Sequence, residues 1–126
     1  MLDTTHEAEA TTALGALDAA LAAGDVEAAV DLFQDTCFWR DLVAFTWNIA
    51  TMEGKDDIRA MLNAQLAATQ PSAWALDPKE PVTHEDGVTT AWFTFETGVA
   101  RGHGLMRLVD GKIWTMRTTI AELQGH

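Results

Sequence analysis

The first third of the chain carries apolar residues at the spacing of an α-helix. Leu14, Leu17 and Leu21 recur every three or four residues, behind a Thr4–Glu7 stretch with the spacing of a capping box. Gly24 is a typical residue just beyond a helix end. A second, shorter helix is predicted next, with Asp25 as its N-cap and an apolar face of Val26, Ala29, Val30 and Phe33.

A third helix is predicted in the middle of the chain. The Gly54–Asp57 stretch puts carboxylates in its first turn, where they oppose the helix dipole, and Pro71 ends it. Between the second and third helices, residues 36–47 are mostly β-branched or aromatic. We interpret them as a strand, a bend at Arg40–Asp41 and a second strand.

The remainder of the chain alternates as β-strands do. Residues 88–97 place Ala91, Phe93 and Phe95 on one face, and Asp110-Gly111 predicts a two-residue hairpin turn. A two-residue turn pairs Leu108 with Ile113, and the pairing then advances by one residue on each strand. One face of the hairpin would then carry His103, Leu105, Arg107, Val109, Trp114, Met116, Thr118 and Ile120.

The opposite face of this hairpin is also apolar. It would carry Met106, Leu108, Ile113 and Thr115, and an apolar face needs a cover. We therefore predict a homodimer through that face. The order of elements predicts an α+β fold, in which N-terminal helices pack on a curved, cone-shaped antiparallel sheet whose apolar interior is a natural ligand site.

Composition and charge narrow the classes of function. The chain has 126 residues, of which 19 are acidic and 8 basic, for a formal net charge of −11. This length predicts a single domain over residues 1–126. The negative field disfavours nucleic acid and anionic membranes as partners. The lone Cys37 and the absence of a signal peptide or an apolar span favour a cytoplasmic protein.

Metal and flavin sites have little support in the sequence. No histidine pair has the spacing of a metal motif, and one cysteine cannot form a thiolate cluster. Gly98, Gly102 and Gly104 lie within predicted sheet, so they indicate bending of the sheet and not a phosphate-binding loop. We expect neither a metal nor a flavin cofactor.

Asp41 is the carboxylate with the most unusual surroundings. It lies between Trp39 and Phe45 in the most apolar segment of the chain. Burial disfavours the ionised form of a carboxylate and brings it toward the proton affinity of a useful general base. The alternative is a structural role, as a turn cap or in an ion pair with a nearby arginine.

His103 is the second candidate, because histidine both donates and accepts protons near neutral pH. The alternative is a histidine that only bonds to backbone. In the predicted register it shares a face with apolar groups able to contact a flat apolar ligand. Together with two aromatic residues near Asp41, the candidate substrate-binding residues are Trp39, Trp47, Leu105, Trp114, Met116 and Thr118.

Three segments together resemble the nuclear transport factor 2-like superfamily. They are Ala22–Phe33, Trp39–Leu42 and Gly54–Arg59, and the likeness is to its SnoaL-like and ketosteroid-isomerase-like branch. The resemblance implies a cone-shaped α+β barrel, usually a homodimer, and places Asp41 where ketosteroid isomerases carry their catalytic base. Their second acidic donor falls at His103 or Gly104. Their tyrosine falls near Leu17, which cannot donate a proton.

A closer likeness is to the domain that precedes some flavin-dependent monooxygenases. The residues that carry it are Trp39–Leu42, Phe45–Trp47, Arg101–Gly104 and Glu122–His126. The chain has no Gly-rich fingerprint opening a βαβ unit, so it does not bind FAD in the manner of the flavin domain itself.

Two hypotheses of function follow. In the first, the chain is a cofactor-independent isomerase, lyase or aldol-type cyclase acting on a small apolar carbonyl or hydroxyl compound. Asp41 is then the base, and His103 is the acid or an orienting donor that converges with it across the cone. In the second, the chain is a non-catalytic ligand-binding or dimerisation module related to the accessory domain of flavin monooxygenases.

Overall fold

The computed structural model describes residues 4–42, 44 and 49–123. Its helices begin and end close to the predicted positions. They are α1 (Thr4–Ala22), α2 (Val26–Val30) and α3 (Gly54–Thr69). Asp25 caps α2 as expected, since its carboxylate accepts a hydrogen bond from the backbone N–H of Ala28 (3.1 Å). Within these ranges, no helix is long and apolar enough to cross a membrane.

The strands form one curved sheet. They are β1 (Phe33–Leu42), β2 (Ile49–Glu53), β3 (Ser72–Leu76), β4 (Thr83–Glu85), β5 (Val88–Glu96), β6 (Ala100–Val109) and β7 (Lys112–Leu123). Their order is β2-β1-β7-β6-β5-β3, with β4 paired to β5. The α+β fold with N-terminal helices is therefore confirmed. The sheet is unclosed, because β2 and β3 lie at opposite ends of this path.

One pair of strands differs from the expected antiparallel sheet. β1 and β7 are adjacent and parallel, so the sheet is mixed. The chain between β1 and β7 is long enough for β7 to run in the same direction as β1. Two strands joined by a hairpin turn can only be antiparallel. The predicted bend at Arg40–Asp41 is also wrong. Both residues continue β1, which has a hydrogen-bonded partner strand on each side there.

The two faces of the sheet differ in what covers them. We call the face against the helices the inner face and the opposite one the outer face. Along β5 the inner face holds Ala91, Phe93 and Phe95, whereas Trp92 and Thr94 are on the outer face, as predicted. The inner side chains form one core with the apolar sides of α1, α2 and α3.

The β6–β7 hairpin has the predicted turn but not the predicted register. Asp110 and Gly111 form the two-residue turn with φ of 52° and 80°. Leu108 pairs with Ile113 as expected, but the register shifts at the next pair, where Arg107 lies opposite Thr115. Trp114 is thus an extra residue in β7. A β-bulge of this kind moves the side chains that follow it to the other face, here as far as Ile120, after which the register shifts again.

The face named for the homodimer lies inside the protein. Met106, Leu108 and Ile113 are fully buried in the core beneath the helices, so that assignment is wrong. The sheet needs no second copy to cover these residues because the helices already do so. The exposed large apolar side chains Phe38 and Ile49 belong to β1 and β2.

Candidate functional site

Asp41 lies at the end of β1 and is completely buried, with 0% of its surface exposed. Parallel pairing puts it beside Thr118 of β7. The hydroxyl of Thr118 donates to Oδ1 of Asp41 at 2.6 Å, and the indole N–H of Trp39 donates to that same hydroxyl at 2.9 Å. The carboxylate is therefore removed from bulk water, and one of its hydrogen bonds comes from a neutral hydroxyl.

The other candidates on the inner face surround this chain of hydrogen bonds. Trp39 is fully buried and stacks on Phe33, with ring centroids 6.0 Å apart. Met116 lies directly across from Trp39 on β7 and is also buried. The structure brings Trp39, Asp41, Met116 and Thr118 together, whereas Trp47 lies outside the described residues.

His103 does not converge with Asp41. It is on the outer face of β6, where its Nε2 lies 3.3 Å from Oδ2 of Asp77 and its ring stacks on Trp92 at 5.3 Å. The guanidinium of Arg117 lies over the same indole, 5.7 Å from the ring centroid. The bulge at Trp114 is the cause of this separation, because it turns Thr118 inward while His103 remains outward.

Leu105 and Trp114 are separated from Asp41 as well. Leu105 pairs with Arg117 on the outer face. Trp114 is 36% exposed, and it lines an open cleft of about 430 Å³ with Val88 and Val109. The predicted ligand surface is therefore divided between the two faces of the sheet.

Glycines on the inner face make room for aromatic rings. Gly102 lies opposite Phe95 and Gly104 opposite Phe93. A Cβ at Gly102 would be 2.2 Å from the Phe95 ring, and one at Gly104 would be 2.4 Å from both Phe93 and the backbone oxygen of Arg117. These glycines allow close packing across β5 and β6. Trp74 adds a third ring, stacked on Phe95 at 4.6 Å.

Open clefts lie away from this packed interior. A cleft of about 630 Å³ is bounded by the end of α1, by α2 and by α3, and Leu21, Val26, Leu62 and Leu66 are among its lining residues. Another of about 380 Å³ includes Thr94, Arg101 and His103. Asp41 lines neither of these two clefts nor the cleft at Trp114.

The titratable groups among the described residues do not assemble a metal site. No cluster of three or more histidine, cysteine, aspartate or glutamate side chains within residues 4–42, 44 and 49–123 could hold a metal ion. Cys37 is buried on the inner side of β1, and burial raises the pKa of its thiol above the ordinary value. A protonated, inaccessible thiol is a poor nucleophile.

Sequence reasoning missed two sets of partners. Asp77, next to Pro78, was not predicted to meet His103. His6 and His84 stack face to face with ring centroids 3.7 Å apart, and Nδ1 of His84 lies 2.9 Å from Oγ1 of Thr89. Their positions at a helix start and beside a turn carried no signal of contact, because they meet only through tertiary packing.

The fold and this arrangement agree with a family assignment. The model of the SnoaL-like domain family matches residues 14–116, and the chain belongs to that family. No curated protein matches the chain in sequence.

Solved structures with the same fold are distant in sequence. An NTF2-like protein with a cystatin-like fold from Novosphingobium aromaticivorans is 17% identical, with 94% of this chain and 83% of that chain covered and a TM-score of 0.67. A domain of unknown function with a cystatin-like fold from Nostoc punctiforme is 14% identical over 93% and 78%, with a TM-score of 0.73. A computationally designed 17-OHP binder is 17% identical over 87% and 88%, with a TM-score of 0.62.

Proposed function

We propose that this SnoaL-like protein is a cofactor-independent enzyme that moves a proton on a small apolar carbonyl or hydroxyl compound, with Asp41 as the general base. Isomerisation, elimination and aldol-type cyclisation all begin with such a step. The observation that carries the proposal is the position of Asp41, a fully buried carboxylate held by Thr118 on the apolar inner face.

The surroundings of Asp41 favour this chemistry over a structural role. Asp41 lies on the apolar inner face, whereas the neighbouring Arg40 is exposed on the opposite face of the same strand. The hydrogen bond from Thr118 is neutral, so it orients the carboxylate without adding a formal charge. A carboxylate oriented in this way can accept a proton from a carbon or hydroxyl acid at the inner face.

The test is uptake of solvent deuterium by apolar cyclic ketones in D₂O, followed by mass spectrometry. The native protein should accelerate exchange at the carbon beside the carbonyl, and Asp41→Asn should lose about 10²–10⁴-fold of that rate. Asp35→Asn is the matched control, because Asp35 lies on the same strand with its side chain in water. Equal rates for the native protein and Asp41→Asn would contradict the proposal.

A binding module related to the accessory domain of flavin monooxygenases is the second candidate. The close fit of Phe93 against Gly104 and of Phe95 against Gly102 favours it, since a filled inner face leaves less room for turnover. Titration with 17-OHP, which the designed protein of the same fold binds, separates the candidates. Saturable binding that is unchanged in Asp41→Asn, without deuterium uptake, would favour the module.

The proposed homodimer would use the outer face. Phe38 and Ile49 are exposed there at the β1 and β2 end of the sheet, and the inner residues first considered are covered by helices. Sedimentation at micromolar concentration tests it, with Phe38→Glu as the variant expected to dissociate a dimer. A native monomer at that concentration would contradict it.

A further inference from the structure

Three of the five arginines of the chain lie together on the outer face of the sheet. Arg40 of β1 is directly opposite Arg117 of β7, and Arg107 of β6 lies two pairs further along the β6–β7 hairpin. All three side chains are exposed, and we call them the arginine cluster. Like charges on neighbouring strands repel one another, so an anion bound among these arginines would stabilise the folded protein.

Carboxylates of the protein do not neutralise the arginine cluster. Within residues 4–42, 44 and 49–123, none of its three members forms an ion pair with an aspartate or a glutamate. Arg59 shows the contrast, since its guanidinium pairs with both Glu27 and Asp56 at 2.7 Å. Three arginines without such a partner leave a local positive charge on an acidic protein, and an external anion can neutralise it.

The arginine cluster lines one small cleft. Phe38, Leu105 and Thr115 are also among its lining residues, and its volume is about 180 Å³. Pockets for drug-sized ligands measure about 300–1,000 Å³, so this cleft is suited to a smaller molecule. A ligand in it would meet guanidinium groups together with apolar side chains.

Arg117 is held in place by an aromatic neighbour. Its guanidinium lies over the indole of Trp92, 5.7 Å from the ring centroid. The side chain therefore crosses Leu105, which lies between Arg117 and Trp92 in the pairing of the strands. An arginine stacked in this way keeps N–H donors for a planar anion, and a side chain that is already ordered loses less conformational entropy on binding.

We propose that this cleft binds the oxyanion group of a small organic acid, either a carboxylate or a phosphate ester. Arginine forks bind both groups through paired, charge-assisted hydrogen bonds. Phe38 and Leu105 offer apolar contact to the body of the ligand. The site is on the opposite face of the sheet from Asp41, so the proposal does not depend on the enzymatic role of that residue.

A second copy of the chain is a less suitable occupant of this cleft. Two copies that met at the arginine cluster would bring six positively charged side chains together, which is unfavourable. The homodimer contact proposed above is at Phe38 and Ile49, toward the β2 edge, whereas the arginine cluster extends across β1, β7 and β6. A small anion is therefore favoured, and sedimentation of the arginine variants tests that choice.

The experiment is calorimetric titration of the full chain with phenyl phosphate, benzoate and inorganic phosphate at constant ionic strength. We expect saturable binding of one phenyl phosphate or one benzoate per chain. The tighter of the two identifies the preferred oxyanion. Inorganic phosphate should bind more weakly than phenyl phosphate, because it has no ring to contact Phe38 and Leu105.

Arg107→Gln and Arg117→Gln should each weaken the tighter ligand about 10–100-fold, since each removes charge-assisted hydrogen bonds. Arg101→Gln is the matched control. It makes the same change in net charge on the same face of β6, but it lies six residues from Arg107 and outside this cleft. That separation is about 20 Å along a strand, beyond the Debye length of about 10 Å at 0.1 M salt. The control should therefore bind as the native protein does.

Three results would overturn the proposal. The first is the absence of saturable binding of both phenyl phosphate and benzoate. The second is a loss in Arg101→Gln as large as that in Arg117→Gln, which would mean a response to net charge alone. The third is a pair of cluster variants that bind the ligand normally but sediment differently from the native protein, because the arginines would then contact a second copy. Circular dichroism checks that each variant is folded.

Discussion

The inner and outer faces of the sheet place their ionisable groups in opposite environments. On the inner face, Asp41 is fully buried and receives its hydrogen bond from Thr118, a fixed neutral donor. On the outer face, Asp77 is partly exposed, accepts from the backbone N–H of Lys79 (2.9 Å) and lies beside His103. The protein supplies the partners of the inner carboxylate, whereas water shares those of the outer one.

The arginines show the same contrast. Arg40 and Arg117 are direct cross-strand neighbours on the outer face, and Arg107 lies two pairs further along the β6–β7 hairpin, opposite Thr115. Like charges opposite one another are destabilising, and solvent at an exposed face weakens that repulsion. The inner face has no such screening, so placing a second charge beside Asp41 would be far more costly.

The largest expected difference between the faces is in packing. Phe93→Ala removes a buried ring from the inner face and should lower the free energy of unfolding by about 3–5 kcal/mol. Thr94→Ala, the next residue along β5 but exposed on the outer face, should change it by less than about 0.5 kcal/mol. Urea unfolding of both variants measures the difference, and equal losses would contradict the assignment of faces.

Crowding at the inner glycines is the next effect in size. Gly104→Ala would place its Cβ 2.4 Å from the backbone oxygen of Arg117, so β6 and β7 must shift, at a cost of about 1–3 kcal/mol. Gly15→Ala is the control, because its Cβ in α1 meets nothing within 4 Å. It should stabilise the protein by up to about 1 kcal/mol through helix propensity. A stabilised Gly104→Ala protein would contradict the close packing.

Local signals in the sequence were sufficient for much of this fold. The cap at Asp25, the turn at Asp110-Gly111 and the alternation through Phe93 each depend on residues a few positions apart. They were predicted correctly because turn chemistry, capping and side-chain alternation are local properties.

The candidate site depended on distant residues and was predicted only in part. Asp41 was identified by its apolar neighbours, but its partner Thr118 is 77 positions away, across a parallel pair that the sequence did not indicate. The bulge at Trp114 was not predicted from the sequence either. It turned Thr118 inward and left His103 outward, which separated the predicted pair. A bulge depends on the packing of the whole sheet, so no turn or alternation signal reveals it.

Alkaline pH distinguishes the buried thiol from exposed groups. Burial raises the pKa of Cys37 in the folded protein above its value in the unfolded chain. The unfolded chain therefore loses its proton first as pH rises, and stability falls above the ordinary thiol pKa of 9.0, by at most about 1.4 kcal/mol per pH unit. Unfolding of native protein and Cys37→Ala between pH 7 and pH 10 tests this. The native curve should fall more steeply, and parallel curves would contradict it.

The smallest expected effect is the coupling between His103 and Asp77. Both side chains keep contact with water, so their pairing at 3.3 Å should contribute no more than about 1 kcal/mol. A double-mutant cycle with His103→Ala and Asp77→Ala measures that coupling. In 1 M NaCl, where the Debye length is about 3 Å, the coupling energy between His103 and Asp77 should be smaller still.

A matching cycle with Thr118→Val and Asp41→Asn is the control. Its coupling energy should be the same in salt, because that pair is buried. A coupling of His103 to Asp77 that is large and insensitive to salt would mean that the outer face shields its ion pairs as the inner face shields Asp41.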